Sequence, residues 1–195
     1  LPSATYIAGF RSLIGLEEHI SLTGDYLGDF DAAFESMFAN GTVNGTYYAI
    51  MDDSTFDDFT SRFASLAAEQ GIQAQLTVES IDAYHDTPWF VTLNVTVAVV
   101  LSDRTRTAVF NRTESVVARV PADSIKDPLY TVGTQGRAPH PVIQSNLTRP
   151  YITAANNTEK FETHINQTLY IESTTAPSFM QRFAGPTAPQ RQGWA

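Results

Sequence analysis

Residues 89–103, "WFVTLNVTVAVVLSD", alternate almost without fault. Trp89, Val91, Leu93, Val95, Val97, Val99 and Leu101 share one face, and Thr92, Asn94, Thr96 and Ser102 share the other. A period of two defines a strand with one apolar and one polar face. Such a strand belongs to an antiparallel sheet covered on one side and wet on the other. The flanking segments fit the same sheet. "IQAQLTVESIDAY" (72–84) alternates through Ile72, Ala74, Leu76 and Val78, then shifts phase to Ile81 and Ala83. That slip predicts a bulge near Glu79–Ser80. "HDTP" and "SDRT" supply turns, and a third strand is expected from about Thr105 to Val120. The result is a three-strand meander over about 72–120.

Helical spacing replaces alternation upstream. Phe10, Leu13, Ile14, Glu17 and Ile20 form one stripe, which Leu27, Phe30, Phe34 and Met37 continue. Gly9, Gly15, Gly24 and Gly28 weaken this stretch, so it reads as one long helix or two, broken near "LTGDYLG". "GTYYAIMD" reads as a short strand. "DDSTFDDFTSRFASLAAEQG" reads as a helix with Ser54 as N-cap, Asp57 three residues on, a Phe56–Phe59–Phe63–Leu66 stripe and Gly71 as the stop. The fold class is therefore α+β, with N-terminal helices packed on a largely antiparallel sheet. Residues 1–40 form an N-terminal helical segment, 41–184 an α+β domain and 185–195 a linker or tail. After Val120, "PADSIKDPLYTVGTQGRAPHPVIQ" reads as an extended loop, "NNTEKFETHINQ" as a short helix and "TLYIES" as a short strand.

The polar face of the central strand raises a chemical question, because Asn94 is followed two residues later by Thr96. Of eight asparagines, seven begin an N-x-Thr triplet: Asn40, Asn44, Asn94, Asn111, Asn146, Asn156 and Asn166. Composition alone would place about one or two N-x-Ser/Thr triplets. The triplet sets a hydroxyl beside the acceptor amide of an N-linked glycan. Asn94 and Asn111 are expected on one exposed sheet face, and Asn40 and Asn44 in the turn-rich "ANGTVNGT". N-linked glycans imply an extracellular or cell-surface protein.

Composition narrows the rest. A net charge of −9 argues against a nucleic-acid partner and against docking on an anionic membrane. The absence of cysteine removes disulfides, thiolate nucleophiles and cysteine zinc sites. No run reaches the roughly 20 apolar residues of a spanning helix. The chain opens at Leu1, so an export signal or anchor is expected to have been removed or omitted, and any membrane attachment would run through a segment absent from this chain.

No catalytic, cofactor-binding or metal-ligating residue emerges. His19, His85, His140 and His164 show no ligand spacing. Asp52, Asp53, Asp57 and Asp58 cluster at a helix start, where calcium would suit them, but the helix dipole explains acids there equally well. No nucleophile elbow or phosphate loop occurs. A secreted hydrolase acting on carbohydrate or peptide would have to assemble its site from His85, Asp86, His140 and the 52–58 acids. A sugar-binding module would use exposed aromatics such as Trp89, Phe90 and Trp194.

Two segments carry a resemblance. "DSIKDPLYTVGTQG", with Asp127-Pro128-Leu129-Tyr130, and "LYIESTTAPSFMQRFAG", with Tyr170, Ser173, Ala176-Pro177-Ser178-Phe179 and Arg182, resemble segments of archaeal type IV pilin-like surface proteins. The resemblance covers about residues 70 to 185. It implies a class III signal peptide, an exterior location and a structural or adhesive role, and it transfers no catalytic residue. The long apolar assembly helix of a pilin is not present in "LPSATYIAGFRSLIGLEEHI". The reading is a glycosylated, non-enzymatic cell-surface or filament subunit. Self-association is expected through the N-terminal segment, residues 1 to about 20, where Ile7, Phe10, Leu13 and Ile14 lie.

Overall fold

The computed structural model describes residues 1–87, 90–105, 107–137, 141, 172–173, 179–185 and 193–194. Asn146, Asn156, Asn166, His140, His164, Trp89 and the helix expected over 156–167 lie outside the described residues. The elements run α1 (Pro2–Thr23), α2 (Phe30–Asn40), β1 (Thr42–Val43), β2 (Thr46–Tyr47), α3 (Phe56–Glu69), β3 (Ile72–Thr87), β4 (Phe90–Asp103), β5 (Val109–Pro121), α4 (Pro128–Gly133), β6 (Glu172–Ser173), α5 (Phe179–Arg182) and β7 (Gly193–Trp194). The fold is α+β, with helices preceding a three-strand antiparallel sheet in the order β3-β4-β5. By contacts the chain divides into two compact units.

The first unit comprises Leu1–Leu16, Asp31–Ala83 and Thr92–Val120. Its sheet buries Leu93, Val95, Val97 and Val99 from β4 and Val116, Ala118 and Val120 from β5, as the alternation requires. The phase slip in β3 is visible as burial. Ala74, Leu76 and Val78 turn inward, Glu79 and Ser80 are both exposed, and Ile81 and Ala83 resume the inward row. Helix α1 lies against this apolar face through small residues. A Cβ on Gly9 would come within 2.0 Å of Leu93 Cδ1 and 3.6 Å of Val120 Cγ2. Gly9 therefore costs helix propensity but leaves room for the Leu93 side chain, which an added methyl would have to displace. Ala8, Leu13 and Leu16 fill the same buried side of the helix.

Local structure agrees with expectation at the helix break and differs elsewhere. The break between helices falls at 24–29, as the glycines suggested, with Gly24 at φ +72°. The strand expected over 45–52 is only two residues long. Thr46–Tyr47 pair with Thr42–Val43 across a tight turn in which Asn44 (φ 50°) and Gly45 (φ 78°) are both left-handed. Ala49–Met51 then coil into a 3-10 turn that drops Met51 fully into the core. The N-cap of α3 is Thr55, not Ser54. Thr55 Oγ1 accepts from Asp58 N at 3.0 Å, and Asp58 Oδ2 accepts from Thr55 N at 3.1 Å, closing a capping box. Ser54 is engaged elsewhere, accepting from Arg11 Nη1 at 2.9 Å and donating to the Met51 carbonyl. Rings from α2 and α3 form a ladder, Phe34–Phe38–Phe56–Phe59–Phe63, at 5.4–6.2 Å between successive centroids.

The second unit comprises Glu17–Phe30, Tyr84–Val91 and Pro121–Ala195. The stretch expected as an extended loop after Val120 contains α4. Asp127 caps it by accepting from Leu129 N at 2.9 Å, and Pro128 occupies its first turn. Phe183 packs against Phe30 at 5.7 Å and edge-on against Phe179 at 5.5 Å. Leu27 N donates to the Phe183 carbonyl at 2.8 Å. Within the segment expected as a tail, Gly193–Trp194 pairs antiparallel with Glu172–Ser173. Among the described residues no helix is long and apolar enough to cross a membrane.

Candidate functional site

All four described acceptor asparagines reach the surface. Asn40 closes α2, and its Oδ1 accepts from Thr42 Oγ1 at 2.5 Å and from Thr42 N at 3.2 Å. This is an Asx turn built from the first and third residues of the triplet, with Gly41 (φ +76°) between them. Both bonds fall on the amide oxygen, and the nitrogen that would carry a glycan is left out of them. Asn44 sits exposed at the tip of the β1–β2 turn. Asn94 is half-buried at the centre of β4, where its Oδ1 accepts from Ser115 Oγ at 2.8 Å. That bond sets Ser115 on the face of Asn94. Asn111 is four residues from Ser115 on β5 and shares its side of the pleat, so both acceptors occupy one sheet face. Asn111 is exposed.

A second cluster lies within the second unit. Arg182 Nη1 donates to Asp127 Oδ2, the Asp127 side chain being only 6% exposed. Lys126 Nζ donates to Glu17 Oε1 at 2.6 Å, and the Lys126 backbone N–H donates to Glu17 Oε2 at 3.1 Å. Thr131 and Gln181 are buried in the same unit, and His85 packs edge-on against Phe179 at 5.7 Å. Burial, followed by the nearby Asp127 charge, pushes the Tyr26 phenol above its ordinary pKa. The sequence signal for α4 was present in the Asp-Pro pair. The Asp127–Arg182 pairing spans 55 positions and leaves no trace in local spacing.

Within the first unit, the described groups named for chemistry make local contacts. Asp52 accepts from the Tyr47 hydroxyl at 2.7 Å, which raises the tyrosine to about 12. Asp58 is held in the capping box. Asp57 lines a cleft of about 270 Å³ with Glu35, Thr60, Leu76 and Val78, and burial, then the neighbouring Asp58, raises its pKa. No His, Lys or Arg lines that cleft. Among the described residues no group of three His, Asp or Glu side chains could hold a metal ion. His85 lies in the second unit and the 52–58 acids in the first.

No known protein family, curated protein or solved structure matches this chain.

Proposed function

We propose that this chain is an extracellular, N-glycosylated structural subunit of a cell-surface or pilus-like filament, archaeal in type and adhesive or scaffolding in role. The observation that carries the reading is the set of N-x-Thr triplets. There are seven, and each of the four described acceptors reaches solvent. The Asn40–Thr42 Asx turn holds the hydroxyl against the acceptor amide, the arrangement for which the triplet chemistry calls. Glycans on Asn94 and Asn111 would cover one face of the sheet and protect it from non-specific association. The hydrolase and sugar-binding readings have no comparable support among the described residues.

Self-association through the N-terminal segment belongs to the same proposal, with its residues reassigned. Leu13 is fully buried in the core, whereas Ile7 is 46% exposed and Tyr6, stacked on Phe10 at 6.3 Å, is 40% exposed. Tyr6, Ile7 and Phe10 are therefore the residues able to meet a neighbour. Removing residues 1–20 would strip Leu13 and Leu16 from the core, so point substitutions are the right probe.

Intact-mass measurement of protein from its native source tests the reading. The expected result is a mass above that of the 21.4 kDa chain by several glycans, with glycopeptides containing Asn40, Asn44, Asn94 and Asn111. A mass equal to the bare chain would overturn it.

A further inference from the structure

The three-strand sheet has two edges, and they are treated differently. The β5 edge carries Arg112, Glu114 and Arg119, the first two in an ion pair of 2.7 Å, together with the acceptor Asn111, and it ends at Pro121. Charges, prolines, β-bulges and covering helices or loops are the devices by which edge strands are kept from pairing. Over "IQAQLTV", residues 72–78, the β3 edge holds no charge, no proline and no acceptor asparagine, and the phase slip falls beyond Val78. Among the described residues no strand pairs with its outer side. Gln73, Gln75 and Thr77 are exposed, and Ile72 is 40% exposed. Leu66, in the α3 turn that leads into β3, is 62% exposed. The phase slip at Glu79–Ser80 ends the regular alternation at Val78.

We propose that a second copy of this chain docks on this edge, its own residues 72–78 pairing antiparallel about Gln75 to form a continuous six-strand sheet. The segment is self-complementary in that register. Ile72 faces Val78 and Ala74 faces Leu76 on the inward side, while Gln73 faces Thr77 and Gln75 faces its own counterpart on the outward side. Apolar side chains meet apolar ones, amides and hydroxyls meet one another, and no like charges are opposed. Shifting the centre to Leu76 sets Gln73 against Glu79, and shifting it to Ala74 brings in Gly71. Two-fold pairing along one patch is isologous, so it closes as a dimer. A separate surface, such as the exposed side of α1, is then free to propagate an assembly. The proposal rests on the reading of a self-assembling subunit and names its partner. Its test needs no glycan.

The absence of native cysteine makes the test specific to register. In the full chain, Gln75→Cys places two sulfurs on opposed strands about 4.5–5.5 Å apart between Cα atoms, within disulfide reach. Gln73→Cys places its two copies about 13 Å apart along the strand, outside that reach. Under mild oxidation at micromolar protein, Gln75→Cys should give at least ten-fold more disulfide-linked dimer than Gln73→Cys on a non-reducing gel. Gln75→Lys, which sets two like charges face to face, should lower the dimer fraction in sedimentation equilibrium with unchanged thermal melting. Equal cross-linking of both cysteine variants, cross-linking of neither, or a dimer untouched by Gln75→Lys would overturn the proposal. A bare native mass alongside preferential Gln75→Cys cross-linking would sink the glycoprotein reading and leave this one standing.

Discussion

The two units are filled by different materials. The first is packed with what sequence periodicity can announce: alternating valines in β4 and β5, a phenylalanine ladder through α2 and α3, and a glycine that admits α1 to the sheet. The second combines a small cluster of Phe30, Phe179 and Phe183 with ion pairs, Asp127 bonded to Arg182 and Glu17 to Lys126. Apolar packing is non-directional and tolerates a near-equal substitute. A buried ion pair is directional, and losing one partner strands the other in a poor solvent. The first unit should therefore bend under substitution where the second breaks.

The largest effect should come from Asp127→Ala. It removes the acceptor of the Arg182 guanidinium and the cap of α4 together. Breaking a buried pair costs about 3–5 kcal/mol, and Arg182, at 20% side-chain exposure, keeps enough water to place this case near the lower end. Urea denaturation should show a loss of about 3 kcal/mol. Replacing both partners by Asp127→Asn with Arg182→Met should recover much of it, because no charge is then stranded. A double variant no more stable than Asp127→Ala would mean that the pair is not what holds these segments.

The same contrast explains what could be read in advance. All three strands of the sheet are visible in the alternation of residues 72–120, including the slip at Glu79–Ser80, because one apolar face imposes a period of two. Their ends are not, since β3 runs through the expected "HDTP" turn to Thr87 and β5 starts at Val109 and not Thr105. The N-cap of α3 lies one residue beyond the sequence expectation for a reason outside the helix. Ser54 and Thr55 are both good caps, and Arg11, 43 positions away, takes the Ser54 hydroxyl. The 3-10 turn at Ala49–Met51 was hidden because Met51 is drawn inward by tertiary packing and not by any local preference. In the second unit the Asp-Pro start of α4 carried a local signal. Its partner Arg182 did not, since nothing in spacing foretells an ion pair closed across 55 residues. The N-x-Thr triplets are legible as a motif, and strand parity together with the Ser115–Asn94 bond puts Asn94 and Asn111 on one face.

A pair of glycine substitutions in α1 sharpens the account of the first unit. Gly9→Ala gains helix propensity of about 1 kcal/mol but forces its methyl onto Leu93 Cδ1 at 2.0 Å. Overpacking at such a site costs about 1–3 kcal/mol, so the variant should be less stable than the parent by thermal melting. Gly15→Ala meets the Met37 thioether at 3.0 Å, and methionine has the rotameric freedom to move aside. Its change in stability should lie within about 0.5 kcal/mol of zero, the propensity gain offsetting a small shift of Met37. If both variants lose stability alike, α1 approaches its neighbours along its whole length and not chiefly at Gly9.

The smallest effect separates the units by pH. His19, in the second unit, is buried, and desolvation lowers its pKa below the ordinary value of 6.5. Below pH 6.5 the unfolded chain therefore takes up a proton that the folded chain refuses. Stability then falls as pH drops, because stability rises with pH wherever the unfolded state binds more protons. The contribution is complete above 6.5, declines between 6.5 and the folded pKa, and becomes flat below that. His19→Gln keeps a polar side chain of similar reach and cannot titrate. Denaturation between pH 7 and pH 5 should show a shallower decline for His19→Gln than for the parent, with the two chains differing least above 6.5. An identical slope in both chains would assign the acid sensitivity to other groups and leave the His19 imidazole without a part in it.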